Sequence, residues 1–316
     1  MLTSTADHLF WMSRYIERAE NTVRILSAYL NTCLLAGECT EQKNAYDARI
    51  VLQTVGSETN YLSAYSALNN HTVMLFMVKK ADNLSSIYCT LYQARENARA
   101  IRSTLTADLW EAINFTWLEF QHKMQHNQWH LEVGELFEWL KNRIYLIRGI
   151  ASNTMPRDEA YAFIRVGTAL ERADNTARFL DTQCVYGMMN NSQSVNTSTD
   201  FYRLTAILHS VSAYEIYRKT YHGTITPVRV AELIMVCTAM PRSLLASIHT
   251  LCQYLRCLAN TRSDDTLRKV NLLQAELTFT TMDIILQQDL HIYLTEFLSQ
   301  IHAIAQGISR DFLTNK

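Results

Sequence analysis

An all-α protein, a helical bundle of about twelve helices, is predicted by three observations. The first is punctuation: 316 residues contain only 8 Gly and 3 Pro. Turn-rich β folds and doubly wound α/β folds use far more, because glycine supplies the positive φ angles of tight turns and phosphate loops. The second is periodicity, since apolar residues recur at helical spacing along almost the whole chain. The third is the breaks, which are short, polar and flanked by helix-starting or helix-stopping residues. The length exceeds that of a typical domain, and 48% hydrophobic residues give ample material for a core.

The first helix is expected over about 4–36, stopping at Gly37. Helices over about 45–67, 72–80, 84–103, 107–127 and 130–151 follow across short polar breaks. Pro156 opens the seventh, over about 157–187, because proline suits the first helical turn. The longest break runs from Gly187 to Asp200, with Asn190-Asn191-Ser192-Gln193-Ser194 at its centre. A helix over about 200–219 ends before His222-Gly223, and Pro227 starts the next, over about 227–237. Helices over about 241–258, 264–290 and 292–313 complete the chain, with Asn260 to Ser263 as a turn before Asp264.

The two sets of helices have the same order of lengths, and a charged string opens each. Glu17-Arg18-Ala19-Glu20-Asn21-Thr22-Val23-Arg24 is matched by Glu171-Arg172-Ala173-Asp174-Asn175-Thr176-Ala177-Arg178. Ser63-Ala64-Tyr65 pairs with Ser212-Ala213-Tyr214, and Asn83-Leu84-Ser85-Ser86-Ile87 with Met240-Pro241-Arg242-Ser243-Leu244. A single domain over 1–316 is therefore expected to be built of two duplicated halves, about 1–152 and 153–316. Pseudo-twofold pairing of the two motif helices at the centre is the simplest assembly.

On the first motif helix Met12, Ile16, Ala19, Val23, Leu26 and Leu30 share one face, and Glu17, Glu20, Asn21 and Arg24 the opposite one. Phe10 and Ile25 interleave with the polar face, as do Ile164 and Phe179 in the second copy, so both helices are expected to be covered all round. Covered charges cost several kcal/mol each unless paired and hydrogen-bonded. Arg14, Glu17, Arg18, Glu20, Asn21 and Arg24 with Glu171, Arg172, Asp174, Asn175 and Arg178 can form such a network. It is either structural, joining the halves, or also grips a ligand, since paired arginines suit a carboxylate or phosphate. No catalytic residue is assigned. Glu17 and Glu171 are the candidates for acid or base, although neighbouring arginines oppose the raised pKa that such work needs.

A second polar group is a candidate docking or pocket surface: Arg95, Glu96, Asn97 and Arg99, followed by Trp110, Glu111 and Asn114, together with Arg242. The duplicate of the arginine string, near Cys252 to Arg256, has lost most of its polar residues, so this surface is expected to be asymmetric.

Several classes are excluded. A formal net charge of -1 gives no global field for nucleic acid or anionic lipid, so neither is expected as a partner. Seven cysteines without a Cys-x-x-Cys fit buried reduced thiols. His122, His126 and His130 stand at i, i+4 and i+8, but in a polar stretch at a helix end, and no metal site is expected. No glycine-rich nucleotide loop or nucleophile elbow occurs, and no cofactor is expected. With no leader-like start and no membrane-length apolar run, the expected location is cytoplasmic.

In order, Leu9 to Thr22, Ala94 to Arg99 with Trp110, Glu111 and Asn114, Leu170 to Arg178, and Pro241-Arg242-Ser243 make the chain resemble the bacterial alpha-E domain family along essentially its whole length. It departs from that pattern at Ser13, where the family usually has glycine, and before Ser86, where a proline is typical. The resemblance implies a helical protein encoded beside an ATP-grasp-type ligase and often a transglutaminase-like protein. Its implied role is that of an accessory or co-catalytic subunit in making or processing peptide or amide bonds. The alternatives are an independent enzyme or binder acting on a small amino-acid or peptide substrate at a Glu/Arg-lined cleft, and a stand-alone helical scaffold.

Overall fold

The computed structural model describes residues 1–35, 41–125, 132–185 and 198–313, and among them every regular element is helical. The elements are α1 (Thr3–Leu35), α2 (Glu41–Thr54), α3 (Glu58–Ala64), α4 (Asn70–Val78), α5 (Ile87–Ala100), α6 (Ala107–Gln125), α7 (Val133–Thr154) and α8 (Glu159–Val185). They continue with α9 (Ser198–Ser210), α10 (Tyr214–Tyr221), α11 (Pro227–Val236), α12 (Leu244–Cys257), α13 (Asp264–Phe279), α14 (Met282–Gln288) and α15 (Leu290–Ile308), closed by a π-helical turn at Ser309–Leu313.

Among the described residues fifteen α-helices stand where about twelve were expected, because three predicted helices are each broken once. The break between α2 and α3 falls at Gly56, with φ +66°, where the Ser57 N–H donates to Leu52 O at 2.8 Å. This is a Schellman ending, and the left-handed residue it requires is a glycine. The break between α9 and α10 repeats it at Ser212, φ 54°, with Ala213 N–H donating to Leu208 O at 2.8 Å. A serine gives little sequence signal for that conformation. The third break lies at Thr280 and Thr281, both extended.

The two breaks share their surroundings. Beyond each lies a fully buried tyrosine, Tyr61 or Tyr217, whose hydroxyl donates to Ala67 O at 2.9 Å or Thr224 O at 3.0 Å. Each tyrosine packs on the next, Tyr65 or Tyr221, with ring centroids 4.8 Å apart. Further on, Ser86 and Ser243 cap α5 and α12, each accepting a backbone N–H at 3.0 Å. In local geometry Ser212 is therefore like Gly56, whereas Ser63, the residue expected to pair with it, lies inside α3.

Long helices α1 and α8 pack along each other at the centre. Helices α5, α7 and α9 lie against α1, and α12 and α15 against α8. Covering on all sides explains why Leu9, Ala19, Val23 and Leu26 on one face of α1, and Glu17 and Glu20 on another, are all completely buried. The central pair meet tightly at Ser13 and Gly167. A Cβ placed on Gly167 would lie 2.5 Å from the Phe10 carbonyl oxygen and would collide with the Ser13 hydroxyl. Backbone atoms cannot swing aside, so Gly167→Ala is expected to cost about 3 kcal/mol, read as a lowered urea midpoint at unchanged slope.

No helix among the described residues is long and apolar enough to cross a membrane. Of the described cysteines, Cys89, Cys184 and Cys252 are buried and Cys237 is half-buried. Cys257 is exposed, contrary to expectation, because it sits on the outer face of the last turn of α12. The center of the Gly187 to Asp200 stretch lies outside the described residues.

Candidate functional site

Charged residues of the two motifs cross-pair. Glu17 of α1 accepts from Arg172 of α8, through Nε at 3.0 Å and Nη2 at 3.0 Å. In return Glu171 of α8 accepts from Arg18 of α1, through Nε at 2.6 Å and Nη2 at 3.2 Å. Each carboxylate is completely or almost completely buried. From here the two halves differ.

Around Glu17 the network is sealed by arginines from outside the motif. Arg242, just before α12, donates Nη1 to Glu17 Oε1 at 3.0 Å and to Asn21 Oδ1 at 2.8 Å, and Nη2 to Glu20 Oε1. Arg148 of α7 reaches the second oxygens of both Glu17 and Glu20. Its contact with Glu20 Oε2 is an ion pair off hydrogen-bonding geometry, so that oxygen, like Asn21 Nδ2, has no hydrogen-bond partner among the described residues. Arg24 closes the edge, donating Nε to Glu20 Oε1 at 2.8 Å, Nη2 to Tyr145 Oη at 2.5 Å and Nη1 to Ser212 Oγ.

Around Glu171 the corresponding space is open. Arg14 donates Nε to Glu171 Oε2 at 2.7 Å, and Asn175 donates Nδ2 to Oε1 at 3.2 Å. Arg178 donates to both oxygens of Asp174, at 2.8 and 3.2 Å, and lies 2.8 Å from His302 Nε2. A cavity of about 320 Å³ runs between these groups, walled also by Gly56, Ser85, Ile301 and Ala305. That volume lies at the lower end of the range for small-molecule sites. Among the described residues, Arg14 Nη1 and Nη2 and Arg18 Nη1 have no acceptor. The guanidinium of Arg14 also lies over the Trp11 ring, 4.7 Å from its centroid, a cation–π contact that helps to fix its position.

Burial raises the pKa of Glu17, but the guanidiniums of Arg148, Arg172 and Arg242 outweigh it and hold the carboxyl well below the usual range. Burial likewise opposes, and Arg18 and Arg14 override, at Glu171, whose pKa is also lowered. Both remain anionic at neutral pH and are poor proton donors. The unfolded chain therefore binds more protons than the native one once pH falls below about 4.5, and stability rises with pH through that window. Acid titration followed by circular dichroism is expected to show full stability above about pH 5 and progressive loss below pH 4.5, as pH falls toward the depressed native pKa values.

The docking candidates form a separate surface patch. Glu96 joins Arg95, at 2.5 Å, and Arg99, at 2.6 and 3.0 Å, while Arg95 also donates to Asn114 Oδ1 at 3.1 Å and lies 5.9 Å from the Trp110 ring centroid. Asn97 turns inward to His8 at 2.9 Å, and Glu111 is exposed. Arg242 does not join this patch; it belongs to the Glu17 network. His122 is exposed, and His126 and His130 lie outside the described residues. Among the described residues no group of three His, Cys, Asp or Glu side chains is placed to hold a metal.

Arg148, Tyr145 and His302 are members of the site that the sequence reading did not select. Tyr145 and Arg148 lie on α7 and His302 on α15, and no repeated string marks any of them. A periodic match between α7 and α15 could have found them: Ile144, Ile147 and Leu140 are buried in the same phase as Ile301, Ile304 and Phe297, which sets Tyr145 beside His302 and Arg148 beside Ala305.

Among the described residues helices alone, joined at a buried Glu-Arg crossing, define the class of this molecule. Residues 1–313 match the Alpha-E family model, described as a predicted alpha-helical domain with a conserved ER motif, and the chain belongs to that family. Among curated proteins it is similar to uncharacterized proteins of Mycobacterium bovis and Mycobacterium tuberculosis, 23% identical over 325 residues. These matches cover 97% of this chain but 36% of the relatives, so the chain spans about a third of their length. No solved structure matches it.

Proposed function

We propose that this chain binds a small carboxylate-bearing molecule, of amino-acid or peptide type, in the cavity beside Glu171. The observation that carries this reading is a 320 Å³ space edged by Arg14, Arg18 and Arg178, with guanidinium N–H groups of Arg14 and Arg18 unspent. A planar guanidinium presents its donors in the geometry of a carboxylate, and one already fixed on Glu171 loses little freedom on binding. The lowered pKa of Glu171 favours a holding role over acid or base catalysis. Thermal unfolding of the purified protein in millimolar L-glutamate, succinate or a glycyl dipeptide is the test. Binding to the native state alone raises the transition, by about 2.7 kcal/mol of stability at a hundred times Kd. The absence of a shift with every carboxylate, beside equimolar chloride, would refute the reading.

The domain is further read as two copies of one half, with the charged crossing at its pseudo-twofold axis. Support comes from the reciprocal Glu17–Arg172 and Glu171–Arg18 pairs and from the recurring breaks at Gly56 and Ser212.

Family resemblance adds a second proposal. The bound molecule is an acceptor or product that this chain presents, in the cytoplasm, to an ATP-grasp-type ligase working with a transglutaminase-like protein. In this reading the partner supplies the ATP chemistry, in keeping with a sequence that carries no familiar nucleotide loop. The Arg95–Glu96–Arg99 patch, half-buried at Arg95 and Glu96 and exposed at Arg99, is the proposed docking face. Affinity capture from native cells should recover such a ligase with wild type and lose it with Arg99→Ala. Equal recovery would remove the patch from the interface, and recovery with neither would remove the partnership.

A further inference from the structure

We infer that the ligand in the cavity beside Glu171 carries a guanidinium group, seated where the sealed half of the molecule places its own arginines. The inference builds on the proposed carboxylate-binding pocket and names the ligand's other end. Two correspondences carry it. The caps at Ser86 and Ser243 set Ser85 at the place of Arg242. The buried phase of α7 and α15 sets Ala305 at the place of Arg148. Both small residues line the open cavity. The space is thus what remains when two guanidiniums of the Glu17 network are removed.

Glu171 is already taken by Arg14, Arg18 and Asn175, but two other acceptors that those guanidiniums would use persist. Asn21 Oδ1 accepts from Arg242 at 2.8 Å; its counterpart Asn175 Oδ1, on a residue whose Nδ2 is fixed on Glu171, has no donor among the described residues. Asp174 stands at the place of Glu20 and among the described residues receives only Arg178 and His302, whereas Glu20 receives Arg24, Arg148 and Arg242. Charge is no obstacle. Three arginines face two carboxylates here, and a ligand guanidinium with its carboxylate makes four against three, a smaller excess of positive charge than the four against two that the sealed half already holds. A molecule with a carboxylate toward Arg14 and Arg18 and a planar cation toward Asn175 and Asp174 satisfies both ends of the cavity.

Calorimetric titration of the wild-type protein with L-arginine, L-citrulline and succinate tests this. Citrulline keeps the shape and the carboxylate but loses the charge. L-arginine is expected to bind at least about 10-fold tighter than citrulline, as a charged hydrogen-bonding group warrants. Ser85→Arg should fill the cavity from within, reducing L-arginine affinity by about 100-fold while leaving the circular dichroism unchanged. If Ser85→Arg does not fold, Ala305→Arg provides the same obstruction. Equal affinities for arginine and citrulline, or undiminished arginine binding in a folded Ser85→Arg protein, would overturn the guanidinium assignment and leave the carboxylate pocket standing. Failure of all three probes to bind would overturn both.

Discussion

Replacing Glu17 with Gln is expected to lower the unfolding free energy by about 3–5 kcal/mol, because it strands buried guanidiniums without their counter-charge. The carboxylate has no exposed surface and is shared by Arg148, Arg172 and Arg242. Gln keeps the size of Glu but offers one acceptor oxygen and adds two N–H donors facing other donors. Glu171→Gln is expected to cost less, about 2–3 kcal/mol, because Arg14 and Arg18 border an open cavity where water can relieve them. Urea unfolding of the two variants checks the order. A larger loss at Glu171 would contradict the division into a sealed half and an open one.

Arg14→Met should give the opposite profile, weakening carboxylate binding by about 10- to 100-fold at a stability cost of only about 1–2 kcal/mol. Methionine preserves the contact with Trp11, and Glu171 keeps its two hydrogen bonds from Arg18 and one from Asn175. What disappears is the guanidinium edge turned toward the cavity. Titration with a carboxylate ligand, beside a melting curve of the same sample, separates the effects. Unchanged affinity would remove Arg14 from the site.

How much of this was legible in the sequence depends on the kind of signal each residue leaves. The helical class follows from sparse glycine and sustained periodicity, and burial of α1 on both faces from Phe10 and Ile25 beside its charges. The Glu-Arg strings announced themselves by recurring. That they cross-pair, Glu17 to Arg172 and Glu171 to Arg18, could be expected only in outline, because sequence carries no distances. The break at Ser212 was missed because its left-handed φ falls on a residue without glycine's signature. The cavity was invisible for a deeper reason. It is lined by residues as small as Ser85 and Ala305, and a small residue in a sequence carries no sign of the space it leaves.

The most direct test is nuclear magnetic resonance of the arginine Nε–Hε groups during titration with L-arginine lacking the isotope label. The expected result is that signals of Arg14, Arg18 and Arg178 move with added ligand, while those of Arg148, Arg172 and Arg242 stay fixed. Movement confined to the second set, or to neither, would contradict the assignment of one Glu-Arg half to structure and the other to binding.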